Sequence, residues 1–321
     1  MDRIDRQRWL RWVQPLNLAL LAALVAGCAT TGPKVGGKPL VPTASQVRTG
    51  PYLICTNDRL DPDAPVVRQL QSLEAEVRST LGLKVAAGDN PVEVYILDDR
   101  QAFDHFLTFY YPDLPHRRGF FLANGDQRVV YTFFGDRMEE DVRHEATHAL
   151  LHLAIGDIPL WLDEGLAEYF EGSADRKGLN PEHLGRLPGE VAAGWTPDLA
   201  RLESLKGVRQ MSPRDYRESW AWVHYLLNEG LPERDALLAY LDELKNHPDA
   251  RKISTRLEGP TAKPMLAHLA RVKDSPLAIV APKDPTVRLQ SGAADAAPVL
   301  VPAPTPKRRG FFARFRDLLG P

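Results

Sequence analysis

Two histidines one helical turn apart constrain this chain more than any other feature. They lie in V-R-H-E-A-T-H-A-L-L-H-L, where His144, Glu145 and His148 form an H-E-x-x-H. Residues i and i+4 share one face of a helix, so the two imidazoles converge on a single point. A zinc ion needs that geometry from its first two ligands, and the adjacent Glu145 is placed to act on a water molecule there. The segment has the other marks of a helix. Glu139, Glu140 and Asp141 put negative charge at its start, where the dipole favours it. Val142, Ala146, Ala149, Leu150 and Leu153 supply apolar bulk, and Gly156 is a natural stop.

A second helix follows at once. Asp157 and Pro159 mark its start, and Glu164 and Glu168 sit one turn apart on one face. A carboxylate from this helix would complete three protein ligands and leave one position for water, the open pattern of a catalytic site rather than the closed one of a structural site. Fifteen residues separate His148 from Glu164 and nineteen separate it from Glu168; resemblance in spacing to thermolysin-like enzymes favours Glu168, and the W-L-x-E-G context favours Glu164. Gly165 inside this helix costs about 1 kcal/mol relative to Ala, and its expected purpose is close approach to the first helix beside the metal. His152 lies one turn past His148, but three ligands stacked on one helix wrap a tetrahedral ion poorly, so it reads as packing. Resemblance to metzincins would need a histidine six residues after His148, and that position is Ala154.

H-E-A-T-H followed by P-L-W-L-D-E-G-L-A-E-Y-F resembles the gluzincin metallopeptidases, which include the aminopeptidase N-like enzymes and the broader bacterial peptidase-MA-like group. The likeness is nearest to bacterial lipoproteins of the peptidase-MA-like type and is clearest over residues 119–228. It implies one Zn2+ per chain, held by His144, His148 and Glu164, with Glu145 as general base. Glu168, one turn past Glu164, then suits the role of accepting the free ring N–H of a ligand histidine. The aminopeptidases carry a G-A-M-E-N segment whose Glu holds the substrate amino terminus. Here Gly119 to Asn124 contains no acid, so the resemblance points to an endopeptidase. Gluzincins also use a downstream Tyr on the oxyanion in a Y-x-K-G-like context. Tyr216 resembles it, although Glu218 and Ser219 replace the Lys-Gly, and catalysis and packing both stay open for it. His224, two turns on, is a second candidate for the same task.

The chain begins with a targeting segment over residues 1–28. Arg3, Arg6, Arg8 and Arg11 outweigh Asp2 and Asp5, and an apolar run from Leu16 to Gly27 is too short for a normal membrane span. It ends L-V-A-G-C, which resembles a bacterial lipobox and implies lipidation of Cys28. Ala29 after that cysteine resembles the default sorting pattern to the outer membrane. The expected place is therefore the bacterial cell envelope, lipid-anchored and facing the periplasm. Cys55, the other of two cysteines, is left without a partner in an apolar strand and reads as a buried, inert thiol. A formal net charge of -2 without a basic stripe argues against nucleic acid as a partner.

Residues 29–46 read as a flexible tether. Residues 47–274 are expected to form one α+β domain: a small mixed or antiparallel sheet lobe over 47–137, then a mainly helical lobe over 138–274, with the H-E-x-x-H helix between them. Strands are expected at Tyr52 to Cys55 and Val92 to Leu97, with a helix over 64–82 between them and a short helix over 100–110 after them. A hairpin is expected from Gly119, turning at Asn124-Gly125 or Gly125-Asp126. Its edge strand can pair with an extended peptide or merely build the sheet. The stretch from Gly172 to about Pro197 reads as a loop or partly ordered lid, and Ser212-Pro213 as the start of a strong helix. Residues 275–306 form a proline-rich linker, with seven prolines between Pro276 and Pro306.

The expected function is zinc-dependent cleavage of a protein or peptide substrate. The alternative is a catalytically idle lipoprotein scaffold or peptide-binding module that retains the zinc site. The membrane is an expected partner through Cys28, with a second contact at the tail. In residues 307–321, Phe311, Phe312, Phe315, Leu318 and Leu319 share a helical face beside Lys307, Arg308, Arg309, Arg314 and Arg316. Such a helix suits an anionic membrane surface or packs on its own domain. Deleting residues 307–321 from unlipidated protein is expected to weaken sedimentation with anionic liposomes. Unchanged binding would assign the tail to the domain.

Overall fold

The computed structural model describes residues 34–273 except 86–89, 113, 115–116, 125, 251 and 258–261. The targeting segment with Cys28, the linker and the tail lie outside the described residues.

The sheet is mixed, in the order β3-β4-β5-β7-β6. β4 (Tyr52–Thr56), β5 (Val92–Leu97) and β7 (Gln127–Phe133) run parallel. β3 (Ser45–Thr49) and β6 (Phe120–Asn124) close the edges in antiparallel pairing. The period-2 pattern of β5 points Val92, Val94 and Ile96 to one face, where α1 (Pro65–Leu81) and α3 (Met138–Ala154) cover them. The opposite face carries Leu97, Phe120, Leu122 and Phe133 against α2 (Arg100–Tyr110). The β6–β7 hairpin pairs as far as Asn124 opposite Gln127; Gly125, common to both expected turns, lies outside the described residues.

Part of the expected tether is structured. Lys34–Val35 and Lys38–Pro39 pair as a short ribbon, β1 and β2, and β3 begins at Ser45. Leu40 is buried against the aromatic cluster under α2, so this segment is held by the sheet lobe rather than hanging free. Cys55 is buried and free, and burial pushes its thiol up to about 11, with Glu93 adding to the shift.

The helical region packs around α3. α4 (Leu160–Phe170) returns antiparallel to it after a break in which Gly156 takes φ +91°, a conformation that favours glycine. α5 (Pro181–Ala192) occupies the stretch expected to be a loop or lid. Asn180 caps it by accepting from His183 N–H, and Pro181 sits in the first turn, where its missing N–H costs nothing. A short α6 (Leu199–Leu202) leads to α7 (Pro213–Asn228), where Asp215 Oδ2 accepts from the Ser212 N–H at 2.7 Å. Buried Glu218 on α7 accepts from Trp195 Nε1, the Asp198 N–H and Arg201, and so staples the connecting segment to the domain. α8 (Leu231–Leu244) and α9 (Ala262–Lys273) complete the core. Among the described residues no helix is long and apolar enough to cross a membrane.

The most extensive helix–helix contact joins α4 to α7, and Gly165 faces the α7 backbone across it. A Cβ there would lie 2.6 Å from the Ser219 carbonyl oxygen and 2.8 Å from a Val223 methyl. The glycine thus serves approach to α7, not to the H-E-x-x-H helix as its position beside Glu164 suggested. Gly165→Ala recovers about 1 kcal/mol of helix propensity but sets a methyl against backbone that cannot rotate away, an overpacking cost of about 1–3 kcal/mol. The expected net result, read by urea unfolding, is destabilisation. A gain in stability would mean that the helices separate freely.

α9 docks on α7 through a chain of buried polar groups. The Glu229 carboxylate only accepts, so His268 donates to it from Nδ1–H at 2.7 Å. That leaves His268 Nε2 as acceptor for His224 Nδ1–H at 2.9 Å. Arg271 pairs with the same Glu229 at 2.5 Å, and Tyr169, Trp220 and Tyr225 pack around the two imidazoles. Burial, then the neighbouring His268, lowers the His224 pKa to about 3; burial also lowers that of His268 against the pull of Glu229. The unfolded chain therefore binds protons that the folded chain refuses. The stability due to this pair is full above the unfolded value of about 6.5 and is lost as pH falls from there towards about 3. His224→Gln is expected to flatten the fall in unfolding free energy between pH 7 and 4.5, by up to about 1.4 kcal/mol per pH unit. Parallel pH profiles would show that the pair does not titrate with folding.

Candidate metal centre

α3 and α4 build the site between them. His144 and His148, one turn apart, present their rings at 76° with centroids 5.1 Å apart. Glu164 on α4 faces both: its Oε2 lies 3.8 Å from His144 Nε2 and 3.7 Å from His148 Nε2. A tetrahedral ion with bonds of about 2.0–2.2 Å separates its donors by about 3.4 Å. Two imidazole nitrogens and a carboxylate oxygen at these spacings therefore suit a divalent metal, and the three residues form a group able to hold one. Each residue expected as a ligand from the motif and the resemblance is in this group.

The ring nitrogens that face away from this point are also occupied. His148 Nδ1 meets Asp163 Oδ1 at 2.9 Å, a close ionic contact whose alignment falls outside hydrogen-bond geometry. His152 Nε2 donates to Asp163 Oδ2 at 3.3 Å, so His152 does more than pack: it shares the carboxylate that orients His148. His144 Nδ1 hydrogen-bonds Glu171 Oε2 at 3.3 Å. Such contacts fix the tautomer that leaves Nε2 free as a donor to metal. The role expected of Glu168 thus falls to Asp163 and Glu171. Glu168 Oε2 instead takes His183 Nε2 at 2.9 Å, and Asn180 Nδ2 bridges Glu168 and Glu171 at 3.3 and 2.8 Å. His144, Glu168 and Glu171 also lie close enough to form a metal-holding group, but those acids are already engaged as the support of His144.

Sequence reasoning passed over Asp163, Glu171, His183 and Arg143. A signal existed for one of them: Glu164, Glu168 and Glu171 stand at i, i+4 and i+7, one continuous helical face. Arg143, 1 % exposed, turns away from the site on α3. Its Nε donates to the Phe170 carbonyl at 2.9 Å, and its Nη2 pairs with Glu76 on α1 at 2.6 Å. It thereby ties the end of α4, and with it Glu171, to the helix that carries His144.

The electrostatics follow from burial against opposite charge. Burial resists protonation of both histidines, but carboxylates outweigh it. Glu164 and Glu171 hold His144 well above its ordinary value, and Asp163 with Glu164 raises His148 to about 9. Asp163 is correspondingly lowered, burial opposing and His148 prevailing. Glu145 is raised, chiefly by burial, against the pull of His144, His148 and Arg117. Its surroundings leave it room. A Cβ on Gly119 would lie 2.9 Å from Glu145 Cγ and 3.1 Å from the Tyr131 carbonyl oxygen, so only glycine lets the chain pass there.

An open cleft of ≈ 450 Å³ runs over these groups. One wall is the edge strand β6 with Gly119, Phe121 and Ala123, and the floor is α3 with His144, Glu145 and His148. Phe121 stacks near His148 with centroids 6.3 Å apart. Tyr216, in the first turn of α7, lines the same cleft, and burial raises its hydroxyl pKa, with Glu164 adding to the shift. His224 does not line it; it is turned into the α7–α9 interior and spent on His268. Of the two oxyanion candidates, the structure brings only Tyr216 to the site.

Comparison with known proteins adds one result. A family model described as a protein of unknown function, DUF1570, matches residues 140–249, which span α3, α4 and α7 and therefore the whole donor set. No curated protein matches the chain.

Proposed function

We propose that the chain is a zinc-dependent hydrolase of the gluzincin type, an endopeptidase anchored by lipid at Cys28 in the bacterial cell envelope, probing periplasmic protein or peptide with one Zn2+ per chain. The observation that carries this reading is the state of Glu145. It lies in the cleft beside the three donors, its pKa is raised, and it has no hydrogen-bond or ion-pair partner among the described residues. A partly buried carboxylate left free in that way is fitted to take a proton.

Held by His144, His148 and Glu164, zinc would supply Lewis acidity to the scissile carbonyl and acidify the attacking water. Glu145 takes the proton of that water as it adds to the carbonyl carbon, and delivers it to the amine nitrogen as the C–N bond breaks. The Tyr216 hydroxyl, kept protonated by burial, donates to the oxygen on which charge develops. Asp163 and Glu171 keep the ligand rings from turning. The edge of β6, with β7 on its other side, offers main-chain groups to an extended substrate along the cleft. The absence of an acid between Gly119 and Asn124 supports cleavage within a chain rather than from its amino end.

Elemental analysis is expected to find one zinc per chain in wild type and in Glu145→Gln alike. Casein cleavage should fall by about 10²–10⁴-fold in the variant, and chelation should abolish it in wild type until zinc is restored. Undiminished turnover in Glu145→Gln would overturn the mechanism, and no bound metal under replete conditions would overturn the whole reading.

A further inference from the structure

The cations along the cleft are unequally employed. Arg118 Nε sits 2.9 Å from both oxygens of Asp141, and Arg137 Nε meets Glu140 at 2.6 Å. Arg117 lines the same cleft, yet it has neither hydrogen bond nor ion pair to any described residue, and its Nε is closed off from water without an acceptor. A guanidinium keeps its proton and carries five donors in a planar fork. Leaving such a group half-buried and unpaired costs free energy that an incoming acceptor would recover. Its charge is felt by Glu145 and by the Tyr216 hydroxyl, the two groups placed around the scissile bond above, but it makes no ion pair with either.

We propose that Arg117 is a specificity-determining residue that anchors a carboxylate of the peptide substrate beside the bond to be cleaved. The proposal rests on the peptidase reading and names its substrate class. A carboxylate matches the guanidinium fork with two parallel hydrogen bonds. A phosphate matches it too, but carries more negative charge into a cleft already lined by Glu140, Asp141 and Glu171, where repulsion works against it. Peptides offer the carboxylate from two sources, an Asp or Glu side chain or the chain terminus.

The test uses the full chain as wild type, Arg117→Gln and Arg117→Lys. The probes are fluorescein-labelled casein-derived peptides in matched pairs: Glu against Gln at each position, and free acid against C-terminal amide. Competition between pair members, followed by mass spectrometry, is expected to favour the acid by about tenfold to a hundredfold in wild type through KM. Arg117→Gln should erase the preference, and Arg117→Lys, which keeps the charge but loses the fork, should retain part of it. Binding of the same peptides to metal-stripped protein, read by anisotropy, should show the same discrimination and the same loss. Preference for Glu over Gln identifies a side chain as the source; preference for free acid over amide alone identifies the terminus. If peptides are cleaved and Arg117→Gln matches wild type in both readouts, the anchor is overturned and the peptidase reading stands. If nothing is cleaved, the peptidase reading falls, and equal binding of acid and neutral peptides to stripped protein would overturn the anchor as well.

Discussion

Enclosing five carboxylates along two neighbouring helices, Glu164 buried and the others partly buried, is the constraint on which the rest of this structure depends. Glu145, Asp163, Glu164, Glu168 and Glu171 all sit where solvent is scarce, and an isolated carboxylate there would take up a proton rather than stay charged. Histidines supply the compensation: His148 and His152 on Asp163, His144 on Glu171, His183 on Glu168. Each pairing also sets a ring orientation, which is how a charge-balance requirement becomes a geometry with two Nε2 atoms facing Glu164. The surrounding carboxylates favour the imidazoles with a proton on each and raise both His144 and His148 above their ordinary values. A cation arriving at the three donors displaces those protons, so metal and hydrogen ion compete for one site.

The surrounding elements can be understood by what they hold in place. α1 reaches the site through Glu76 and Arg143, which clamp the carbonyl end of α4. α7 approaches until backbone meets backbone at Gly165, and in doing so brings Tyr216 over the cleft. α5 contributes His183, with Asn180 just before it, and closes the far side of the carboxylate group. A donor set assembled from only two helices thus depends on three more for its angles.

What could be read in the sequence divides along a physical line. Periodic features were legible: the i, i+4 pair of His144 and His148, the apolar spacing of α1, the alternation of β5, the pairing of β6 with β7. Features set by tertiary partners were not. Gly165 announces that something comes close but not what, and the partner proved to be α7. Asp163 stands beside Glu164 in the same string, yet its task depends on where His148 and His152 end up in space. α5 was hidden by Gly185, Pro188 and Gly189, whose poor helix propensity is overridden by burial of Leu184 and Leu187 in the core. The ribbon and the start of β3 resembled a tether because edge segments are polar; the two strands of the ribbon pair only with each other, and β3 is held by pairing with β4.

An ion that merely braced the fold would be served by four protein donors and by neighbours that leave nothing charged and idle. The described site departs from that on two counts. Among the described residues three donors converge, not four, and Glu145 beside them has no hydrogen-bond or ion-pair partner. Keeping it apart is itself a structural expense. Gly119 gives up a side chain so that the strand can pass within van der Waals reach of the Glu145 carboxylate without displacing it. Scaffolding explains the histidines and Glu164 well enough, but it leaves Glu145 and Gly119 without a purpose. The proton transfer we propose at the cleft would supply one for both.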